Sequence, residues 1–311
     1  MTDLRFGIDL GGSKIEAAAL DGAGRIVWHG RDKTSPHSYQ DTLANIAQLA
    51  AAGWQATGFT GVRKLGIGIP GVFNQHTGKM EGASLGYLND KPLANDLRDI
   101  LKAEIRIAND ANCFALSEAH DGSAAGLAVV VGVIIGTGYG AGVVVNNRII
   151  SGAHGIAGEI GHWHLPWQTR DEMDMAMQVI SNNEIACACG NAGCVESFLS
   201  GPAISREYQQ ASGVYLSVEE IAECATQDAH AEAVLTQFEH RLARTLAMVI
   251  NILDPDAIVL GGGLSNLTRL YKAMPSLLPP YVYTQRAVAT RILPPKYGAA
   301  SGVRGAAWLW E

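Results

Sequence analysis

The stretch FGIDLGGSKIEAAAL, residues 6–20, decides the fold of this chain. It predicts a β-hairpin, because two apolar runs flank the polar, glycine-rich turn Gly11-Gly12-Ser13-Lys14. A second stretch, VGVIIGTGYGAGVVV at residues 131–145, repeats the order of strand, glycine-rich turn and strand. Glycine-rich hairpins also occur in unrelated α/β proteins. Two copies in one chain nevertheless indicate a duplicated α/β unit.

Between and after the hairpins, segments with the periodicity of helices alternate with segments typical of strands. The predicted elements are a helix that contains Leu43, Ile46 and Leu49 and stops at Gly53, strands at 64–69, 105–108 and 257–260, and helices at 93–101, 111–119 and over much of 201–251. This alternation is typical of an α/β fold with a mostly parallel sheet covered on its faces. We expect an N-terminal domain at 1–121 and a larger domain at 122–301. We also expect the last helix, within 302–311, to return to the first domain.

Composition narrows the classes of function. The formal net charge is −7 and no run of basic residues occurs, so nucleic acid is not an expected partner. Residues 1–5 lead straight into a strand, with no signal segment, and no apolar run reaches the roughly 20 residues that span a bilayer. We therefore expect a cytoplasmic protein without membrane contact.

The two glycine turns are candidate phosphate-binding sites. The first comprises Gly11, Gly12, Ser13 and Lys14, and the second comprises Gly136, Thr137 and Gly138. Backbone N–H groups in such turns can converge on a phosphate without obstruction by side chains. A strand follows each turn, which excludes a Walker loop or a Rossmann turn. Asp9 precedes the first turn, where its carboxylate is either a magnesium ligand acting through water or an ordinary hydrogen-bonding strand residue.

The pair Asn109-Asp110 follows a short strand and begins a helix. The carboxyl ends of strands are the places where α/β proteins bind ligands. Phosphorylation of a hydroxyl requires an acceptor for its proton, and an aspartate is the usual one in kinases. Sequence position alone does not separate this role from that of a helix N-cap.

Three of the five cysteines, Cys187, Cys189 and Cys194, are crowded into one short segment. With His162 or His164 they could complete a closed, structural zinc site that pins the irregular stretch 151–194. An iron–sulfur cluster would prefer four cysteines, and the remaining alternative is three unligated thiols. The other two cysteines, Cys113 and Cys224, are expected to be core residues.

Two acidic residues flank the predicted metal ligands. Glu159 lies three positions before His162, and Glu196 lies two positions after Cys194. A metal bound by His162 would bring both carboxylates into one neighbourhood. Carboxylates and an imidazole are good acceptors for sugar hydroxyls, and polar sites of this kind discriminate strongly between hydroxyl patterns.

These motifs, taken in order, resemble the ROK family of repressors and sugar kinases. The motifs are DLGGSK at 9–14, NDAN at 109–112, IGTG at 135–138, GEIGH at 158–162, CACGNAGCVE at 187–196 and LGGG at 260–263. The resemblance implies an actin/hexokinase-like (ribonuclease H-like) duplicated two-domain fold, with ATP and Mg²⁺ in an interdomain cleft and a structural Zn²⁺. It also implies a hexose substrate and a homodimer.

The resemblance further implies roles for individual residues. Asp110 would be the catalytic general base. The other sugar contacts would be Gly71, Ser84, Asn89, Asn109, Glu159, His162 and Glu196. The zinc ligands would be His162, Cys187, Cys189 and Cys194. ATP would be bound by Asp9, by 11–14 and 136–138 at its phosphates, and by Gly261, Gly262 and Gly263 at its adenosine.

Within the family, GHWHLPW at 161–167, VINILDPD at 249–256 and SGVRGAAWLW at 301–310 are most similar to bacterial kinases of mannose and fructose. We therefore expect fructose, mannose or both to be converted to the 6-phosphate. Ser84 and Tyr87 depart from that pattern, which has asparagine and tryptophan in this loop. The alternatives are a kinase of N-acetylglucosamine or glucose, a non-catalytic sugar-binding module, and a sugar-responsive repressor. A repressor is disfavoured because no DNA-binding domain precedes Asp9.

Overall fold

The computed structural model describes residues 3–35, 37–174, 187 and 189–310. The chain divides into two compact units. Unit 1 comprises Met1–Gly132, Gly142–Ala157 and Pro295–Glu311, and unit 2 comprises Val133–Ala141 and Gly158–Pro294. The predicted domain ranges, 1–121 and 122–301, differ from these units and stay a prediction. Part of the predicted irregular stretch, 175–186 and 188, lies outside the described residues.

The first sheet contains the hairpin predicted from residues 6–20. Its strands are β1 (Arg5–Leu10), β2 (Lys14–Leu20), β3 (Ile26–Lys33), β4 (Lys64–Ile69) and β7 (Glu104–Asn109), in the order β3-β2-β1-β4-β7. β1 is antiparallel to β2 but parallel to β4, and β4 is parallel to β7. A separate hairpin is formed by β5 (Val72–Asn74) and β6 (Lys79–Glu81).

The second sheet repeats this topology. Its strands are β8 (Val129–Ile135), β9 (Tyr139–Val145), β10 (Arg148–Ile149), β11 (Ala257–Gly261) and β12 (Arg291–Leu293), in the order β10-β9-β8-β11-β12. In both sheets the third, second, first, fourth and fifth strands are neighbours in that order. β11 and β12 are parallel, as their counterparts in the first sheet are. The shared order agrees with the predicted duplication.

The α-helices of the described residues are, in chain order, α1 (Tyr39–Ala56), α2 (Leu93–Leu101), α3 (Asp110–His120), α4 (Glu196–Leu199), α5 (Gly201–Ser212), α6 (Val218–Cys224), α7 (Ala229–Leu253), α8 (Arg269–Leu277) and α9 (Ser301–Trp308). The last helix lies in unit 1. It packs directly on the first sheet, because an added Cβ at Gly66 in β4 would lie 1.7 Å from the Ala306 carbonyl oxygen. In the part of the chain that the structure describes, no helix combines the length and apolar composition needed to cross a bilayer.

The prediction that α1 stops at Gly53 was wrong. The helix begins after Ser38, whose Oγ accepts a hydrogen bond from the Asp41 amide, and it continues to Ala56. Gly53 lies inside the helix, and its carbonyl oxygen accepts hydrogen bonds from the amide and hydroxyl of Thr57 at the C-terminal end. A Cβ at Gly53 would lie 2.8 Å from the ring of Trp28 on β3, so glycine is required here for packing of the helix on the sheet.

Candidate active site

Asp9 and Asp110 lie at the same edge of the first sheet. Asp9 is level with Gly68 of β4, Gly68 is level with Ala108 of β7, and Asp110 begins the helix that follows β7. Burial, then the charges of Asp110 and Glu16, raise the pKa of Asp9 to about 7. Two carboxylates at the carboxyl ends of parallel strands can hold a hydrated divalent cation and accept a proton.

Asn109, and not Asp110, is the N-cap of α3. Its Oδ1 accepts hydrogen bonds from the amides of Ala111 and Asn112 at 2.9 and 3.4 Å. Asp110 is the first helical residue, and its Oδ1 also accepts from the Ala111 amide at 2.9 Å. The sequence left open whether Asp110 is a catalytic residue or the N-cap of the helix. The structure shows that Asn109 is the N-cap.

Asn109 also links the helix to the loop that contains Gly71. Its Nδ2 donates to the Gly71 carbonyl oxygen at 3.3 Å, so two of the predicted sugar contacts are adjacent. Gly71 has a φ of 148°, and an added Cβ would lie 2.8 Å from the Cα of Ala83. Glycine is needed at this position for both reasons.

The loop at 81–89 is held both by contacts within it and by contacts of Tyr87 with residues outside it. The Asn89 side chain accepts from the Ala83 amide at 2.8 Å and donates to the Ala83 carbonyl at 3.4 Å. Tyr87, which departs from the family pattern, donates to the Ser35 carbonyl at 2.8 Å and lies 3.0 Å from the Thr42 hydroxyl. The structure therefore gives Asn89 and Tyr87 a supporting role in the loop. Contacts of Asn89 and Ser84 with a sugar stay a prediction.

A cavity of about 310 Å³ lies beside Asn109 in unit 1. It is lined by β5, the loop at 151–155 and the start of α3. One of its lining residues, Asn112, is 4% exposed, and its Oδ1 has no hydrogen-bond partner among the described residues. A buried carbonyl oxygen without a donor is costly, which makes it a candidate contact for a ligand N–H or O–H group. No pattern in the sequence indicates this feature.

Each of the two glycine turns contains a backbone hydrogen bond between its first and last residues. The Gly11 amide donates to the Lys14 carbonyl at 2.9 Å, and the Gly136 amide donates to the Gly138 carbonyl at 3.0 Å. Gly262 follows β11, with a φ of 78°, and an added Cβ would lie 2.3 Å from the Ile135 carbonyl oxygen at the end of β8. Within unit 2, the predicted adenosine loop 261–263 is therefore adjacent to the predicted phosphate turn 136–138.

The predicted metal ligands converge. The Nδ1 of His162 lies 3.2 Å from the Sγ of Cys187, the Sγ atoms of Cys189 and Cys194 are 3.6 Å apart, and one ligand atom from each of the four residues lies within 4.8 Å of the others. Ligands around a tetrahedral zinc ion, bound at about 2.0–2.3 Å, have comparable separations. Three thiols and an imidazole are a donor set that suits structural zinc.

His164 lies outside this group of ligands. Its backbone pairs with that of Cys194 in an isolated antiparallel bridge. Of the two histidines that the sequence offered, His162 is therefore the one whose geometry fits the metal.

The two flanking carboxylates lie beside the ligands. An Oε2 of Glu159 is 3.7 Å from Nε2 of His162, and Oε1 of Glu196 is 3.8 Å from the Sγ of Cys187. The other oxygen of Glu196 accepts from the Tyr139 amide at 3.1 Å. The neighbourhood expected from the sequence is present in unit 2, and the sugar contacts of these residues stay a prediction.

A buried ionic cluster that the sequence did not reveal holds the segment after the histidines. Glu172, 1% exposed, accepts hydrogen bonds from Arg241 at 2.9 Å and Arg244 at 2.6 Å, both on α7. Burial alone would raise the pKa of Glu172, but hydrogen bonds from Arg244, the Thr169 amide and Arg241 outweigh burial and lower it to about 2. Charged side chains on a helix normally indicate a solvent-facing surface. The sequence of α7 therefore does not predict that these arginines are buried.

The family of the chain follows from comparison with known proteins. The model of the ROK family matches residues 5–311, so the protein belongs to the ROK family. An N-acetyl-D-glucosamine kinase from Histophilus somni (strain 129Pt) is 38% identical over 306 residues, which cover 98% of each chain.

Solved structures agree with this assignment. The ROK hexokinase from Thermus thermophilus superposes with a TM-score of 0.83 at 27% identity, over 98% of this chain and 97% of the other. A ROK family glucokinase from Streptomyces griseus, in complex with glucose and AMPPNP, has a TM-score of 0.78 at 25% identity over 98% of each chain. The expected hexokinase-like fold and the resemblance to ROK sugar kinases are confirmed.

Proposed function

We propose that this protein transfers the γ-phosphoryl group of ATP to a hydroxyl of a free hexose. The observation that carries the proposal is the pair of carboxylates, Asp9 and Asp110, at the carboxyl edge of the first sheet. Family membership and the similarity to kinases of sugars support it. Binding of nucleic acid is not part of the proposal, and the homodimer stays a prediction.

Each carboxylate has a distinct task in this mechanism. Asp110 accepts the proton of the attacking hydroxyl, and its attachment to the first turn of α3 fixes its position. Asp9 would hold Mg²⁺ through water, and the ion would supply positive charge against the phosphate oxygens. A positioned base of this kind contributes about 10²–10⁴-fold to the rate.

The glycine turns would bind the phosphates of ATP through backbone N–H groups, and 261–263 would lie at the adenosine. The set formed by His162, Cys187, Cys189 and Cys194 would hold a structural zinc ion. That ion would stiffen the segments that carry Glu159 and Glu196, which we propose as acceptors for sugar hydroxyls.

The relatives favour N-acetylglucosamine as the hexose over the fructose or mannose expected from the sequence. N-acetyl-D-glucosamine kinases match this chain at 37–38% identity over nearly their whole length. The cavity beside Asn109 offers room for an acetamido group. The unpartnered Oδ1 of Asn112 could accept a hydrogen bond from the amide N–H of that group.

A coupled assay of ATP consumption across N-acetylglucosamine, glucose, mannose and fructose tests the substrate. We expect kcat/KM for N-acetylglucosamine to exceed that for each other sugar by at least about tenfold, since a site built to satisfy a polar group rejects analogues that lack it. A preference for fructose or mannose would restore the expectation from the sequence. Absence of ATP consumption with every sugar would contradict the kinase proposal.

The acetamido contact has its own test. Asn112→Ala should lower kcat/KM for N-acetylglucosamine by roughly tenfold relative to its effect on glucose, because one buried hydrogen bond is lost. Asn95→Ala removes an exposed asparagine elsewhere in the same unit and serves as the control. An equal loss for both sugars would show that Asn112 does not contact the acetamido group.

A further inference from the structure

The second glycine turn rests on the segment that contains Cys194. The Gly201 amide donates to the Gly136 carbonyl at 2.7 Å, and Oε2 of Glu196 accepts from the Tyr139 amide at 3.1 Å. Both ends of the turn are therefore attached to residues 194–201. The contact of Gly201 is between backbone atoms, whereas the contact of Glu196 involves its side chain.

The segment that contains His162 holds the same turn from another side. The Ala141 amide donates to the Gly158 carbonyl at 3.0 Å. At Gly161, an added Cβ would lie 1.9 Å from the Tyr139 carbonyl oxygen, so only glycine permits this close approach. The end of the turn thus contacts the segments on either side of the proposed metal.

The two supporting segments are also joined to each other. The Leu165 amide donates to the Gly193 carbonyl at 3.0 Å, and the Val195 amide donates to the Trp163 carbonyl at 2.8 Å. His162 belongs to one segment and Cys194 to the other, and their ligand atoms fall within the same group of four. A metal ion bound there would cross-link the two segments.

We propose that the Cys3His site positions the phosphate turn at 136–138 and that Glu196 is the positioning residue that connects them. Glu196 follows the metal ligand Cys194 by two residues, and its carboxylate accepts a hydrogen bond from the Tyr139 amide at the end of the turn. Family resemblance gives Glu196 a contact with the sugar. The geometry adds a second role, in which loss of the carboxylate or of the metal weakens binding of ATP. This inference rests on the proposed function.

The expected effect follows from the kind of contact involved. A hydrogen bond from a backbone amide to a carboxylate is charge-assisted, and its loss corresponds to roughly a 10- to 100-fold change in an equilibrium constant. Glutamine retains an oxygen that can accept from the Tyr139 amide, so Glu196→Gln should lose less affinity than Glu196→Ala.

Calorimetric titration of Mg–ATP into the zinc-loaded protein, without sugar, tests the inference. Glu196→Ala should raise the Kd for ATP by roughly 10- to 100-fold, with Glu196→Gln in between. Glu223→Ala, which removes an exposed carboxylate of the same unit, should leave the Kd unchanged. A Kd for ATP that stays at the wild-type value in Glu196→Ala, with sugar affinity lost, would overturn the inference. Failure of the wild-type protein to bind ATP would instead refute the proposed function.

The link between the metal and ATP binding is tested by separate experiments. Zinc-depleted wild-type protein that retains its circular dichroism spectrum should show a similar loss of ATP affinity, and zinc should restore it. Should depletion unfold the chain, Gly138→Ala tests the contact between the turn and Glu196 at full zinc content, since its Cβ would lie 2.9 Å from Oε2 of Glu196 and would displace the carboxylate. Wild-type ATP affinity in folded, zinc-depleted protein would contradict the link to the metal, and wild-type ATP affinity in Gly138→Ala would contradict the positioning role of Glu196.

Discussion

The side chains of Asp9 and Asp110 share one electrostatic environment, although their positions in the sequence are far apart. Burial is the largest cause that raises the pKa of Asp9 to about 7, and the negative charge of Asp110 is the second. Parallel pairing of β1, β4 and β7 creates this proximity, because it places the end of β1 level with the end of β7. The two carboxylates can bind a cation. In the absence of a cation, their repulsion and the burial of Asp9 lower the stability of the fold.

The first prediction concerns that loss of stability. Because the pKa of Asp9 in the folded chain lies above its usual value of 3.8, folding favours the protonated form. Asp9 therefore leaves stability unaffected below about pH 4, destabilises the fold progressively as the pH rises toward 7, and destabilises it by a constant amount above that.

Asp9→Asn should accordingly raise the free energy of unfolding at pH 8 by about 4 kcal/mol, and by less at pH 5. Urea unfolding of the zinc-loaded protein, without Mg²⁺ or nucleotide, measures both values. If the variant were less stable than wild type at pH 8, or if its gain in stability did not depend on pH, the ionised form of Asp9 would not be destabilised by burial and by neighbouring charges.

Much of the fold could be predicted because local patterns and tertiary pairing agree. The hairpin at 6–20 formed as expected, since two apolar runs on either side of a glycine-rich turn leave few other arrangements. Gly53 misled the prediction because glycine has two uses. It can end a helix, or it can allow close packing, and only the position of Trp28 shows which applies.

The parts of the candidate site formed by residues close in sequence could be predicted. The parts formed by residues that are distant in sequence but close in the fold were harder to predict. The spacing of Cys187, Cys189 and Cys194 indicated a metal site directly. The choice between His162 and His164 depended on which side chain lies beside the three thiols, and no spacing reveals that. The contacts of Glu196 and the orphaned oxygen of Asn112 depend on pairings between distant segments, which a single sequence does not encode in any short motif.

A second prediction concerns the buried cluster around Glu172. Glu172→Gln removes the carboxylate that pairs with both Arg241 and Arg244, which are nearly inaccessible to solvent, and leaves Arg241 its second ion pair with Glu207. Breaking one side of a buried ion pair typically costs about 3–5 kcal/mol, and we expect a loss in that range at pH 7.

The same cluster predicts a dependence on pH. Because the folded pKa of Glu172 is lowered to about 2, its contribution is present above the ordinary value of 4.5 and is lost as the pH falls from there toward 2. The stability difference between wild type and Glu172→Gln should therefore shrink below pH 4.5. Chemical denaturation at pH 7 and pH 3.5 checks this, and an unchanged difference would contradict it.

The third prediction concerns the metal. Elemental analysis should return about one zinc per chain, as expected for a site with four protein ligands. Cys189→Ser should lose most of the zinc and lower the melting temperature, because binding of a structural metal contributes to folding. Cys224→Ser is the matched control, since Cys224 lies outside the group of ligands and its Sγ contacts the Ile221 carbonyl. Full zinc content in Cys189→Ser would show that the ion is bound elsewhere.

The most direct test of the account is the turnover of Asp110→Asn. Asparagine retains an oxygen that can accept from the Ala111 amide, so the fold around α3 should persist while the acceptor for the hydroxyl proton is lost. With saturating ATP and N-acetylglucosamine, kcat should fall by about 10²–10⁴-fold, and the Kd for the sugar should change by less than about threefold. If the variant phosphorylated the sugar at close to the wild-type rate, Asp110 would not be the base, and the mechanism proposed for this site would be wrong.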